Sequence, residues 1–105
     1  MEILHLTLKK KWFDLIASGK KTDEYREFKP HWENRLIDNA DNGRKFDIVR
    51  FKNGYAADSP TMDVEFREIV FSGRQWITPK NGEELTDSTI VIRLGNVLSV
   101  TGEGR

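Results

Sequence analysis

The chain has no cysteine, which excludes disulfide stapling, thiol catalysis and cysteine-ligated zinc or iron–sulfur centres. Its two histidines do not sit at metal-ligand spacing, so no metal is expected. The glycine signatures of Rossmann and P-loop folds are missing too, which argues against a nucleotide cofactor; none is expected. No stretch of about eighteen apolar residues occurs, and Glu2 stands where a secretion signal would carry positive charge. A soluble, cytoplasmic protein with no membrane partner is the expectation. Excess charge of either sign is also lacking, with 17 basic side chains against 17 acidic ones. That balance excludes a molecule coated in positive potential, although a local basic cleft is compatible with it. Repeats, low-complexity segments and long linkers are absent, and 105 residues suffice for one domain but not two. Residues 1–105 therefore read as a single domain, with 101–105 as a loose tail.

What is present is a dense run of charge, Gly19-Lys20-Lys21-Thr22-Asp23-Glu24-Tyr25-Arg26. Before it, Leu8, Trp12, Phe13, Leu15 and Ile16 form the apolar stripe of a short helix, and Gly19 offers the left-handed conformation that ends one. After it the period becomes two. Thr22, Glu24 and Arg26 alternate with Asp23, Tyr25 and Glu27, so a carboxylate and a guanidinium project from the same side of a strand.

Around this junction the pattern predicts a first strand over Ile3 to Leu8, with His5 as a structural hydrogen-bonding residue. A helical turn follows at His31 to Ile37, then a polar loop from Asp38 to Gly43. A strand at Phe46 to Phe51 leads into Asn53-Gly54, a hairpin signal that implies an antiparallel neighbour. Between Met62 and Phe71 the alternation changes face, which a bulge near Arg67 would reconcile. Gly73 to Glu84 reads as an irregular excursion, Thr89 to Leu94 as the most apolar strand, and Gly95 to Val100 as its continuation after a bend. The sum is a small α+β domain with a curled sheet and one or two short flanking helices.

Gly19, Lys21, Glu24 and Arg26 reproduce Gly-x-Lys-x-x-Glu-x-Arg, and on these residues the chain resembles the ASCH domain family of the PUA-like superfamily. The order of elements over residues 3–95 resembles that family as well. The resemblance implies a small curled β-barrel with helices alongside, and a ligand cleft beside the first helix lined by Lys21, Glu24 and Arg26. Some small members are similar to amidohydrolases that deacetylate N4-acetylcytidine with a lysine, a threonine and a glutamate. Lys21 matches the lysine, Glu24 occupies the threonine position and Thr22 lies one same-face step earlier; the region that carries the family's glutamate is longer than Gly73 to Glu84 here, so the role is assigned to neither Glu83 nor Glu84.

The residues allow several roles. Lys21 suits a phosphate, a base carbonyl or proton transfer, and Arg26 suits bidentate binding of a phosphate, carboxylate or base edge. Glu24 can accept from an exocyclic amine. Each also fits a structural ion network, with Arg26 reaching Glu24 or Glu68. Tyr25 alternates away from the charges and reads as core or strand-edge. Trp32, Tyr55 and Trp76 fall in or beside loops where a base could stack. Arg50, Lys52 and Arg93 could form a basic rim, Arg93 only if it shares a side with Arg26. The leading expectation is a module that binds RNA or a modified nucleotide through Lys21, Glu24, Arg26, Lys52, Trp76 and Arg93. One alternative is an amidohydrolase acting on an N4-acylated cytidine with Lys21, Glu24 and Thr22 catalytic. The other is a protein-interaction accessory domain with a degenerate pocket.

Overall fold

The computed structural model describes residues 1–102. Along the chain run β1 (Ile3–Leu8), α1 (Lys10–Ala17), β2 (Asp23–Glu27), α2 (Pro30–Leu36), β3 (Ile48–Asn53), β4 (Thr61–Phe71) and β5 (Thr89–Thr101). The strands form one five-stranded sheet in the order β1-β3-β4-β5-β2. β1 pairs with β3 in parallel, and the other pairs are antiparallel. The sheet curls into a half-barrel. Its edge strands β1 and β2 come together across an unpaired seam, where Arg26 Nη2 donates to the Thr7 carbonyl at 3.4 Å.

The inner face follows from period-two alternation. Leu4, Leu6 and Leu8 of β1, Val49 and Phe51 of β3, and Ile90, Ile92 and Leu94 of β5 are buried there, and Phe13 and Ile16 of α1 join the same core. Full burial of a side chain such as Phe51 or Ile92 contributes about 1.5–3 kcal/mol against leaving it in water. α1 stops where the glycine permits. Gly19 takes φ +80°, its N–H bonds the Ile16 carbonyl, and the Lys21 N–H bonds the Leu15 carbonyl, each at 3.0 Å. These bonds satisfy carbonyls orphaned at the helix end and fix where Lys21 enters β2.

The alternation of β4 resolves as the sequence suggests. Register shifts fall between Asp63 and Val64, Val64 and Phe66, and Phe66 and Glu68. The last of them lets Phe66 pair with Leu94 and Ile69 with Ile92, both on the inner face despite their odd spacing. Two expectations need correction. β3 does not end at Phe51 in a two-residue Asn-Gly turn. It continues to Asn53, which registers with Leu8 of its parallel neighbour, and the turn spans residues 54–60, closed by the Asn53 N–H on the Pro60 carbonyl at 2.9 Å. At the other end, Thr101 belongs to β5 opposite Thr61 rather than to a loose tail. Residues 103–105 of that expected tail lie outside the described residues.

Leu36, wholly buried, anchors the chain before the polar loop, and Ile37 bridges to Gly43 beyond it. The loop is pressed onto the sheet. A Cβ built on Gly43 would lie 2.6 Å from Ile69 Cβ and 3.0 Å from the Ile69 carbonyl oxygen. Gly43→Ala should therefore destabilise the protein by about 1–3 kcal/mol through overpacking, more than the roughly 0.4–1 kcal/mol gained from a stiffer unfolded chain. Urea unfolding checks this, and an unchanged or raised midpoint would show that the loop stands off the sheet.

Candidate functional site

Glu24 registers with Ile92 and Arg26 with Ile90, so both charged side chains turn toward the inner face. Side chains so placed would be costly to bury alone, and here they are buried in company. Glu24 Oε2 accepts from Arg26 Nη2 at 2.8 Å, and its Oε1 lies 3.7 Å from Lys21 Nζ. Lys21 Nζ donates to Glu83 Oε2 at 2.5 Å. Only 2% of the Lys21 surface is exposed. Its ammonium sits 4.4 Å from the Tyr25 ring centroid and 5.0 Å from that of Trp12. The Arg26 guanidinium lies 4.8 Å over Trp32. Arg26 Nε is buried with no acceptor among the described residues, an unmet donor that an incoming polar group could satisfy.

Glu24, Arg26 and Glu83 form one wall of a cleft of about 580 Å³ at the seam, with Lys21 buried behind them and outside the lining; the volume is within the size range of small-molecule sites. Trp12, Tyr25 and Tyr55 add aromatic surface, Lys9 and Lys10 add rim charge, and Asn53 and Gly54 close the end beside β3. Tyr55 is 89% exposed and free to lie against a ligand.

Burial pushes the Glu24 carboxyl above its ordinary range, opposed by Arg26 and then Lys21 and reinforced by Glu83. Burial, followed by the carboxylates of Asp23, Glu83 and Glu24, pushes the Tyr25 phenol up to about 12, so it remains a hydrogen-bond donor at neutral pH.

The structure thus gathers Lys21, Glu24 and Arg26 and leaves the other candidates elsewhere. Arg93 registers with Asp23, on the opposite face from Arg26, and pairs with Glu68 at 3.5 Å. Lys52 lies on the outer face of β3 beside His5 and Arg50, because Val49 and Phe51 take the inner one. Arg50 is engaged by Asp63 through two bonds of 2.7 and 2.9 Å. Trp76 is 88% exposed and does not line the cleft. Thr22 is exposed and likewise stands outside it. Three contributors escaped the sequence reading. Tyr25, expected in the core or at a strand edge, instead lines the cleft and lies 4.4 Å from the Lys21 ammonium. Trp12 read as helix core, and Glu83, in the irregular segment between β4 and β5, meets Lys21 across 62 positions of chain. Nothing local marks such a partner. Asn81 steadies it by donating from its side-chain amide to the Lys20 carbonyl at 3.4 Å.

Among the described residues no group of three His, Asp or Glu side chains converges as metal donors, and no helix is long and apolar enough to cross a membrane. Comparison with protein-family models, curated proteins and solved structures finds no match to this chain.

Two outcomes follow from the cluster. Lys21→Ala should cost about 3–5 kcal/mol, because it leaves the buried Glu24 with Arg26 alone and the half-buried Glu83 with no cation among the described residues, whereas Arg93→Ala removes a surface pair and should cost about 1 kcal/mol or less. Paired denaturation curves decide, and equal costs would mean that the Lys21 pair is as well solvated as the surface one. The second outcome concerns pH. Between the ordinary value of 4.5 and its raised one, Glu24 keeps its proton in the folded chain and loses it in the unfolded chain, so its contribution to stability falls as pH rises through that window. Unfolding curves from pH 4 to 8 should show the wild type losing stability relative to Glu24→Gln as pH increases. A constant difference would place the Glu24 carboxyl at its ordinary value.

Proposed function

We propose that the chain is an ASCH-like, PUA-like domain that binds a nucleobase-bearing ligand, either a modified nucleotide or a base splayed out of an RNA strand, in the seam cleft. The observation that carries this reading is the composition of one wall. One cation, Arg26, and two carboxylates, Glu24 and Glu83, stand beside three aromatic rings, and Lys21 holds the two carboxylates from behind. A nucleobase presents donors and acceptors at its edge and two π faces, and such a wall can meet all three.

Charge argues for a base over a phosphate at the bottom of the cleft. Arg26, the cation that lines the bottom of the cleft, already faces Glu24, so a phosphate there would meet the carboxylates of Glu24 and Glu83 as well as Arg26. Phosphate or ribose would sit toward Lys9 at the rim, since Lys10 is paired with Asp14 at 2.5 Å.

A second reading, hydrolysis of an N4-acylated cytidine, gains from the Lys21–Glu83 contact. Water held by Glu83 would add its oxygen to the acyl carbon while Glu83 takes the proton. Glu24, kept protonated to higher pH by burial, would give its proton to the departing amine as the C–N bond breaks. Thr22 has no part in that scheme. The accessory-domain reading draws on the same ion pairs, which leave Lys21 and Arg26 engaged within the chain. Trp32, however, lies beneath Arg26 and Arg35 instead of forming an apolar patch with Trp76.

Backbone-amide NMR titration with N4-acetylcytidine, and separately with a short single-stranded RNA, tests these readings while free acetate is followed. Shifts should cluster at Trp12, Lys21 to Arg26 and Tyr55. Arg26→Ala should weaken binding at least about tenfold, the loss of one hydrogen bond to a charged group, with folding retained. Unchanged affinity would remove Arg26 from recognition, and acetate release lost in Glu83→Gln would establish the hydrolase.

A further inference from the structure

A second cleft of about 470 Å³ shares no lining residue with the first. Four of its lining side chains are cationic: Arg44, Lys45, Arg67 and Arg74. None of the four has a carboxylate partner among the described residues. The one carboxylate in the lining, Glu68, pairs with Arg93 at 3.5 Å. In a chain of zero formal net charge, this concentrates uncompensated positive potential in one groove.

The groove is held in shape by the fold. The Asp38 carboxylate accepts the N–H groups of Ala40 and Asn42 at 2.9 and 3.0 Å. The Arg44 N–H bonds the Leu36 carbonyl at 2.7 Å, and Gly43 lies against Ile69. Arg44 and Lys45 are thereby fixed beside β4. The register shift between Phe66 and Glu68 leaves Arg67 exposed. Arg74 packs 4.6 Å over the Phe71 ring and donates from Nη1 to the Asp41 carbonyl at 3.0 Å. Holding the backbone that carries Arg44 and Lys45, and the Arg74 side chain itself, reduces the entropy lost on binding.

We propose that this groove binds the phosphodiester backbone of single-stranded RNA. Three of its four cations are arginines, whose planar forks match phosphate oxygens bidentately. The amide side chains of Asn42 and Gln75 line the same groove and can reach sugar hydroxyls or base edges. A single small groove on an otherwise balanced molecule suits a flexible strand over a duplex, which needs a longer charged stripe. The inference stands apart from the nucleobase reading of the first cleft. The two are nonetheless placed to act on one strand. Phe46, just before β3, lines the groove and Asn53, at the end of β3, lines the cleft, a separation of roughly 20–25 Å along an extended chain.

The test is fluorescence anisotropy with a fluorescein-labelled oligouridylate of about twelve nucleotides, within the usual site size of roughly 4–16. With three or four phosphate contacts, affinity should fall roughly 20- to 50-fold between 50 and 200 mM salt. Lys45→Ala combined with Arg67→Ala should weaken binding and flatten the slope of log affinity against log salt by roughly 1.4, with an unchanged melting temperature. Arg50→Ala, which removes a cation that lines neither cleft and is engaged by Asp63, should leave that slope as it is. A wild-type slope in the double variant, or equal competition by an oligoglutamate peptide, would overturn the proposal. If N4-acetylcytidine fails to bind while the double variant still flattens the slope, the groove stands and only the reading of the first cleft falls.

Discussion

The buried ion cluster of Lys21, Glu24, Arg26 and Glu83 is the interaction on which the seam depends. A curled five-stranded sheet has two edges that must be paired, covered or charged. Here they are joined by side chains instead of a backbone ladder. Arg26 reaches from β2 to the Thr7 carbonyl of β1 while Glu24 holds it from behind, and Lys21 links Glu24 to the segment that crosses from β4 to β5. The seam is thus closed enough to bury charge and open enough to leave a cleft.

An apolar seam of equal volume would often be as stable or more so, because two charges taken out of water regain their hydration energy only with good geometry. The raised carboxyl of Glu24 shows that this compensation is incomplete. Departures of this kind from the rule of apolar interiors collect at functional sites. The aromatic rings of Trp12, Tyr25 and Trp32 around the two cations soften the cost, since a cation against a π face keeps part of the stabilisation that water gave it. The second groove follows the opposite rule. Its cations stay exposed and, among the described residues, without carboxylate partners, so they cost little to keep and remain available to a strand of phosphates.

Much of the fold was legible in the sequence. Gly19 marked the end of α1, the alternation of Leu4, Leu6 and Leu8 marked the inner face of β1, and the broken period around Arg67 marked a bulge. Asn53-Gly54 signalled the antiparallel β3–β4 pair but not its turn, because parallel pairing to Leu8 holds Asn53 in extended form. Of the site, Glu24 and Arg26 could be placed together because same-side projection two residues apart is a property of any strand. Arg93 and Lys52 could not be placed, because a cation between apolar neighbours fits either face until its partners are known.

The sequence by itself determined the α+β class, the order of elements, and the joining of Lys21, Glu24 and Arg26 at a helix-to-strand junction, all consequences of stereochemistry acting over a few residues. Only the tertiary structure decided that Glu24 and Arg26 face inward, since which side of an edge strand is buried depends on register with its neighbour, and a shift of one residue reverses it. It also brought Glu83 to Lys21 across 62 positions and set Arg44 and Lys45 beside Arg67 and Arg74. Those meetings depend on how the sheet curls and where its loops fold back, which no local pattern encodes.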